Sequence, residues 1–502
     1  MRRLIVDDNL AAMAPLESES VTLAYLDPPF NSGRTYGAYL SRGRQGGAES
    51  QKVFGDAWRW DDDVEALAER LHDWLPRSTT DLLRSLVSAV GRSSLGAYLV
   101  MMAPRLAETR RLLSAEGSLY LHCDPSASHY LRVVLDDLFG PQNFRNEIAW
   151  RRTHAHSSSR RYGPIHDSIL FYSKGKDYIW NAPKAKYTSE YLEKFYRGED
   201  SAGAFQLITC TAPGDRTGTL AHYEWHGLLP PPGRHWAWRR ERMEEFEAAG
   251  RLVHSANGVP RLKRYANEAT GTALQDMWLD ISRLDAHAEE RLGFETQKPI
   301  PLLERIVLAS SRPGDVVLDS FAGTGTTGVA AERNQRGWIL MDNSLLSASL
   351  ALSRLRQVAR TKLIQLDGFP ASTSAARSLL HSSPLAFGSW ATSMIGTMVD
   401  RDSLGASLTV GVGQIRTHRT MDLFSWIPLR ADYRPSLPTA RKSRLDKIAI
   451  YLEDARDPGR LRSFLDKSFQ SRVFPIRIDD LVDQESRSQG LAPRVSELAA
   501  HL

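Results

Sequence analysis

The 502-residue chain has only two cysteines, Cys123 and Cys210, far apart and outside any C-x-x-C pair. That excludes a disulfide framework and a cysteine-based zinc site, and it suits a reducing compartment. The sequence has no run of 18 apolar residues, so no membrane helix is expected. The opening MRRLIVDDNL carries two arginines, but Asp7 and Asp8 interrupt its apolar stretch. A signal peptide is therefore not expected, and a cytoplasmic location is. The pattern G-x-x-x-x-G-K-[ST] is absent, which excludes a phosphate-loop motor on this chain. A nuclease signature, internal repeats and low-complexity tracts are likewise missing. No metal site is expected. Asp61-Asp62-Asp63 precede a helical pattern at 64–75 and read as N-capping and first-turn acids. His154-x-His156 reads as part of a basic loop.

Hydrophobic residues make up 42% and charged residues 25% of the chain, the balance of a folded globular protein rather than a disordered one. The net charge of +5 is mild, but its distribution is uneven. Residues 145–186 hold nine Lys/Arg against three Asp/Glu, interleaved with Trp150, Tyr162, Phe171, Tyr172, Tyr178 and Trp180. Such interleaving suits phosphate contact and base stacking. A solvated basic face over a core strand is the alternative.

The pattern of apolar runs predicts alternating strands and helices. VTLAYL is a buried parallel strand that stops at Asp27-Pro28-Pro29-Phe30. Residues 31–55 read as a loop. A helix over about 97–114, the strand SLYLHCD, a helix over 126–138, and the strands NEIAW and HDSILFYSK follow. Residues 175–295 break the rhythm with Pro230-Pro231-Pro232 and several tryptophans, and read as an insertion. The rhythm returns as a helix (297–312), a strand (315–319), a helix (326–334), a strand (338–342) and a helix (344–358). Beyond 360, strands near 407–416 and 423–429 and helices near 442–456 and 460–468 are predicted.

Two motifs carry chemistry. In DSFAGTGTTG, Asp319 to Gly328, a glycine-rich turn follows a strand and opens a helix. That lets a ligand approach the backbone and the helix N-terminus. Asp342 ends the next strand, where an acid can accept hydrogen bonds from ribose hydroxyls. Gly323, Gly325 and Gly328 also spell G-x-G-x-x-G, so a dinucleotide-binding oxidoreductase and a glycine turn without a ligand are alternative readings of this segment. In LAYLDPPF the prolines stiffen the turn after a strand and hold Asp27 at its carboxyl end. An exocyclic amine of a base is a poor nucleophile because its lone pair is delocalised into the ring. The Asp27 carboxylate and the Pro28 carbonyl are candidates to accept its two hydrogens, drawing the nitrogen toward tetrahedral geometry. Phe30 is a candidate to stack on the base, which must leave the duplex.

Together these motifs resemble the amino-methylating, S-adenosylmethionine-dependent DNA methyltransferases in the order where Asp-Pro-Pro precedes the glycine motif, the β class. The likeness is greatest to type III modification subunits. It covers about residues 4–358. Asp8-Asn9 resembles the family's Gly-Asp-Asn, with Asp7 replacing the glycine. Glu295-Thr296-Gln297-Lys298-Pro299 resembles its Pro-Thr-Gln-Lys-Pro segment, with Glu295 replacing proline. YEWHGLLPPPGRHW, GVPRLKRYANE and ALQDMWLDI are similar to its target-recognition region.

The resemblance implies an α/β fold: a doubly wound, mostly parallel, Rossmann-like sheet with an inserted target-recognition domain and a C-terminal extra domain. The expected division is 1–180 (catalytic half), 181–290 (target recognition), 291–360 (cofactor half) and 361–502 (role unknown). Asp27, Pro28, Pro29 and Phe30 form the implied catalytic turn. Asp8, Asn9, Thr296, Gln297, Lys298, Phe321, Gly323, Thr324, Gly325, Thr326 and Asp342 form the implied cofactor pocket. The implied partner is double-stranded DNA, with a homodimer and a restriction or defence subunit in trans. An acid at the first catalytic position is typical of adenine-N6 enzymes, and serine is more frequent in cytosine-N4 enzymes, which remain the alternative. A DNA-recognition subunit of a larger defence complex is another. A 5-carbon cytosine methyltransferase needs a Pro-Cys nucleophile, and neither cysteine follows a proline.

Overall fold

The computed structural model describes residues 1–29, 58–153, 162–285 (less 186, 188, 269 and 270), 288, 290, 296–359 and 363–395. Beyond these it describes the segments 35–38, 51–55, 414–416, 422–426, 447–452, 473–476 and 481–482. The chain divides into two compact units, Met1–Asn181 with Asp276–Leu502, and Ala182–Gln275.

The larger unit is built on nine strands: β1 (Arg2–Val6), β2 (Val21–Leu26), β3 (Leu113–Cys123), β4 (Phe144–Arg151), β5 (His166–Ser173), β6 (Met277–Trp278), β7 (Val316–Asp319), β8 (Gly337–Asp342) and β9 (Gln365–Asp367). Their order is β6-β4-β5-β3-β2-β7-β8-β1-β9. Neighbours are parallel, except that β5 runs antiparallel to β3 and β4. Alternation along the central strands feeds two cores. Leu4, Leu23 and Tyr25 face α4 (Ile300–Ser310), α5 (Thr326–Arg333) and α6 (Leu345–Ala359). Ile5, Ala24 and Leu26 face α1 (Asn9–Met13), α2 (Ser94–Leu112) and α3 (Pro125–Phe139). Burial on both faces explains why these strands read as unbroken apolar runs. The sheet is thus doubly wound, as the rhythm of the sequence predicts.

Helix starts follow local chemistry. Asp124 caps α3 by accepting from Ser126 N, with Pro125 at the first helical position. Asp61 caps the helix Asp62–Glu69 through Val64 N, with Asp62 and Asp63 in its first turn. The roles of Asp61, Asp62 and Asp63 are those read from the sequence.

The frame continues past residue 360, where the sequence reading places a domain boundary. β9 pairs with β1, and Phe387, Trp390, Ala391 and Met394 of the helix Pro384–Ile395 join the core that α6 lines. Lys447–Leu452 is a strand where a helix over 442–456 was expected, between the strands Asp422–Trp426 and Val473–Ile476. KIAIYL is a short apolar run with two β-branched residues and a tyrosine, a composition that suits a strand. The helix expected at 460–468 lies outside the described residues. Within the expected loop 31–55, Thr35–Ala38 and Gln51–Gly55 pair as antiparallel strands.

The unit Ala182–Gln275 carries a four-stranded sheet, in the order Leu252–His254, Pro260–Tyr265, Gly203–Thr209, Gly198–Asp200. Its own core holds Cys210, Trp225, Trp236, Met243, Phe246 and Leu262.

Trp390 is fully buried. Trp390→Ala is expected to cost about 3–5 kcal/mol in chemical denaturation. An unchanged midpoint would show that residues 384–395 do not belong to this core.

Candidate active site

Four neighbouring parallel strands, β2, β7, β8 and β1, end at the same edge of the sheet, and each ends at an aspartate: Asp27, Asp319, Asp342 and the Asp7-Asp8 pair. Open α/β sheets place ligands at this edge.

Asp8 caps α1 by accepting from Leu10 N and Ala11 N. Its Oδ2 also accepts from Arg105 Nη2 at 2.5 Å. Asn9 is buried and fully engaged. Its Oδ1 accepts from Arg105 Nε at 2.5 Å, and its Nδ2 donates to the Ser320 carbonyl at 2.7 Å. Asn9 therefore ties the β1 turn to the glycine loop, a shaping role.

In that loop Gly323 and Gly325 adopt φ of +49° and +74°, the left-handed region that favours glycine. A Cβ on Gly323 would meet nothing within 4 Å, whereas one on Gly325 would lie 2.7 Å from Ala351 Cβ. Gly323 thus borders open space and Gly325 is packed. Phe321 is half-buried, and its N–H donates to Asp319 Oδ1 at 3.0 Å. Gly323 N donates to Asp342 Oδ2 and Ser344 N to Asp342 Oδ1, both at 2.8 Å. Thr324 and Thr326 are buried and turn their hydroxyls to Arg354 of α6, whose Nη1 lies 3.3 and 3.1 Å away. Burial brings the Arg354 guanidinium down to about 10.

Burial pushes the Asp319 carboxyl up to about 7 against hydrogen bonds from Thr327 and Phe321 N, with the charges of Asp27 and Asp342 adding to the rise. Burial likewise raises Asp342 to about 6 against its two backbone donors.

Asp27 follows β2, with Pro28 buried and Pro29 half-buried behind it. The Pro29 carbonyl accepts from Trp58 Nε1 at 3.1 Å. Phe30 lies outside the described residues, as does Glu295. Asp27 Oδ2 accepts from Lys298 Nζ at 2.5 Å, and its Oδ1 lies 3.9 Å from His122 Nδ1. Lys298, assigned to the cofactor pocket by resemblance, therefore stands against the Asp27 carboxylate. Thr296 is half-buried, and the buried Gln297 donates to the Glu290 carbonyl at 2.5 Å.

A buried network that the sequence reading missed supports this corner. His122 shares hydrogen bonds with Tyr25 Oη (2.8 Å) and Asp167 Oδ2 (3.2 Å). Arg152 Nε lies 3.4 Å from Asp167 Oδ1. Burial would raise Asp167, but the hydrogen bond and charge of His122, with Lys298 and Arg152, hold it below its usual range. Burial, with Asp27 next, raises the Tyr25 hydroxyl well above its usual range. The available signal was a polar residue inside each of two apolar strands, SLYLHC and HDSILFY.

The donor set fits S-adenosylmethionine. Asp8 and Asp342 suit a ligand carrying an ammonium and ribose hydroxyls, and Gly323 leaves room beside its backbone.

The profile of the DNA methylase family, the N6/N4 methyltransferases, matches residues 21–349. The chain is 33% identical over 371 residues to the type II methyltransferase M.EcaI of Enterobacter cloacae, covering 70% of this chain and 81% of that one. It is 25% identical over 395 residues to the StyLTI Mod subunit, a type III restriction-modification enzyme of Salmonella typhimurium (strain LT2), covering 72% of this chain. The match spans 56% of that subunit. Among solved structures, a DNA modification methylase from Thermus thermophilus, complexed with S-adenosyl-L-methionine, is 18% identical with a TM-score of 0.35, covering 74% of this chain and all of that one. The chain belongs to the DNA methylase family: it is a DNA amino-methyltransferase of the N6/N4 group, and S-adenosylmethionine is its methyl donor.

Gly325→Ala is expected to destabilise the fold by about 1–3 kcal/mol. Gly323→Ala, strained only through its positive φ, is expected to cost less, about 1 kcal/mol, and to weaken cofactor binding. Thermal unfolding and calorimetric titration of each variant check the contrast, and equal effects on both readouts would overturn it.

Asp319 binds its proton more tightly folded than unfolded. Its contribution to stability is present below about pH 4, the unfolded carboxylate range, and is lost as pH climbs through about 7. The melting temperature of Asp319→Asn should therefore gain on the wild type over that window. Parallel curves would refute the assignment.

Proposed function

We propose that this chain methylates the exocyclic N6 of adenine in double-stranded DNA, with the target base extruded from the stack. The single observation that carries the reading is the Asp27 carboxylate at the end of β2, engaged by Lys298 and one strand away from the glycine loop after β7. Asp27 and the Pro28 carbonyl accept the two amine hydrogens, which frees the nitrogen lone pair from the ring. Phe30 stacks on the base. The tertiary network Tyr25-His122-Asp167 keeps the floor of the site rigid. S-adenosylmethionine, when bound, supplies an electrophilic methyl group. Asp342, Asp8, Phe321 and the backbone at Gly323 hold it, while Thr324, Gly325, Thr326, Asn9 and Gln297 shape the loops around it. Thr296 completes the pocket.

The unit Ala182–Gln275 serves target recognition in this reading. The similarity of YEWHGLLPPPGRHW and GVPRLKRYANE to recognition segments supports the role. The likeness to the StyLTI Mod subunit supports work in a restriction-modification or defence system with a restriction subunit in trans; a homodimer is part of the same proposal. A cytoplasmic site of action fits this role. Among the described residues no helix is long and apolar enough to cross a membrane.

The test incubates the full chain with unmethylated DNA and methyl-labelled S-adenosylmethionine, digests the DNA to nucleosides and identifies the labelled species by mass spectrometry. Label in N6-methyladenine is expected; label in N4-methylcytosine would replace the adenine assignment. Asp27→Ala should cut transfer by on the order of 10²- to 10³-fold, with calorimetric binding of S-adenosylmethionine retained. Full activity in that variant would overturn the role of Asp27.

A further inference from the structure

Lys298 reaches the site from the loop ahead of α4, 271 positions along the chain from Asp27. Both side chains are largely withdrawn from solvent, at 11% and 16% exposure. The ammonium takes Oδ2 of the carboxylate, and the buried His122 faces Oδ1. His122 is itself held by Tyr25 and Asp167. The carboxylates of Asp167 and Asp319 stand close enough to be felt electrostatically by the same groups.

The target amine's hydrogens are taken by Asp27 and the Pro28 carbonyl together, so the Asp27 carboxylate must be held in a fixed plane beside that carbonyl. An entering base strips water from that carboxylate, which makes an unpaired charge costly. A cation already bonded to one oxygen offsets that cost and sets the plane, and the lone pairs it leaves remain for the amine.

We propose that Lys298 is a positioning residue for Asp27, one that orients and charge-balances the carboxylate for the amine. This rests on the reading of Asp27 as the amine's acceptor. Lys298 stays bonded to Oδ2 while the base occupies the site, and its influence on the reaction passes through Asp27.

The experiment compares Lys298→Met and Lys298→Arg with the wild-type full chain. It measures turnover at saturating DNA and S-adenosylmethionine, together with calorimetric affinity for S-adenosylmethionine alone. Lys298→Met should lose about 10- to 100-fold in kcat while its affinity for S-adenosylmethionine stays unchanged. Lys298→Arg keeps the charge and should recover part of kcat. Loss of cofactor affinity with kcat intact at saturation would make Lys298 a cofactor residue and overturn the proposal. Unchanged kcat and affinity would overturn it equally. If the Met variant fails to fold, the Arg variant decides: retained affinity with a partial loss of kcat supports the proposal, and lost affinity overturns it. Should Asp27→Ala keep full turnover, the reading of Asp27 fails first, and that result is separate from any Lys298 outcome.

Discussion

Repulsion between carboxylates crowded at one edge of a buried sheet is the constraint that the rest of this structure answers. Parallel strands bring their carboxyl ends together, and this sequence ends four adjacent ones in aspartate. Each acid receives a different answer. Asp8 is met by Arg105, and Asp27 by Lys298. Asp342 is met by two backbone N–H groups, and Asp319 by Thr327 Oγ1 and a backbone N–H. Asp167, on the antiparallel strand β5 beyond β3, is met by His122. The unequal solutions leave the acids in unequal states, with Asp319 and Asp342 pushed upward and Asp167 held down.

The chain order deepens that dependence. The Asp-Pro-Pro turn belongs to the first strands, and the glycine loop comes far later in the chain, yet β2 and β7 are immediate neighbours. The contacts that join the two halves are therefore long-range. Asn9 bonds the Ser320 carbonyl, Lys298 bonds Asp27, and Arg2 bonds Glu332. Neither half completes the edge by itself, because each acid-bearing strand borrows a neighbour from the other half.

Much of the frame was legible in the sequence because central parallel strands are buried on both faces and so read as plain apolar runs. VTLAYL, VVLD and WILMD lie in strands of the structure, and both glycine and Asp-Pro-Pro motifs sit at strand ends. What escaped depends on partners far apart in sequence. Nothing near Lys298 signals that its ammonium reaches Asp27, and nothing near Thr324 or Thr326 signals the buried Arg354 that takes their hydroxyls. The strand at Lys447–Leu452 was misread as helix because a short apolar run fits either period. The strand β9 was missed because three residues carry too little pattern to separate from a loop.

The unit Ala182–Gln275 leaves and rejoins the frame at two pinned points. Asn181 donates its backbone N–H to the Ala309 carbonyl, and its side-chain amide to the carbonyls of Leu308 and Ser311. Asp276 gives its carbonyl to Ala149 N, where β6 begins along β4. Both exits are thus secured by the frame's own backbone, independently of what lies between them. A fold wired this way is evolvable by substitution of whole inserts: a lineage can exchange the segment between the two exits, of whatever length, while the strands that carry the acids keep their pairing.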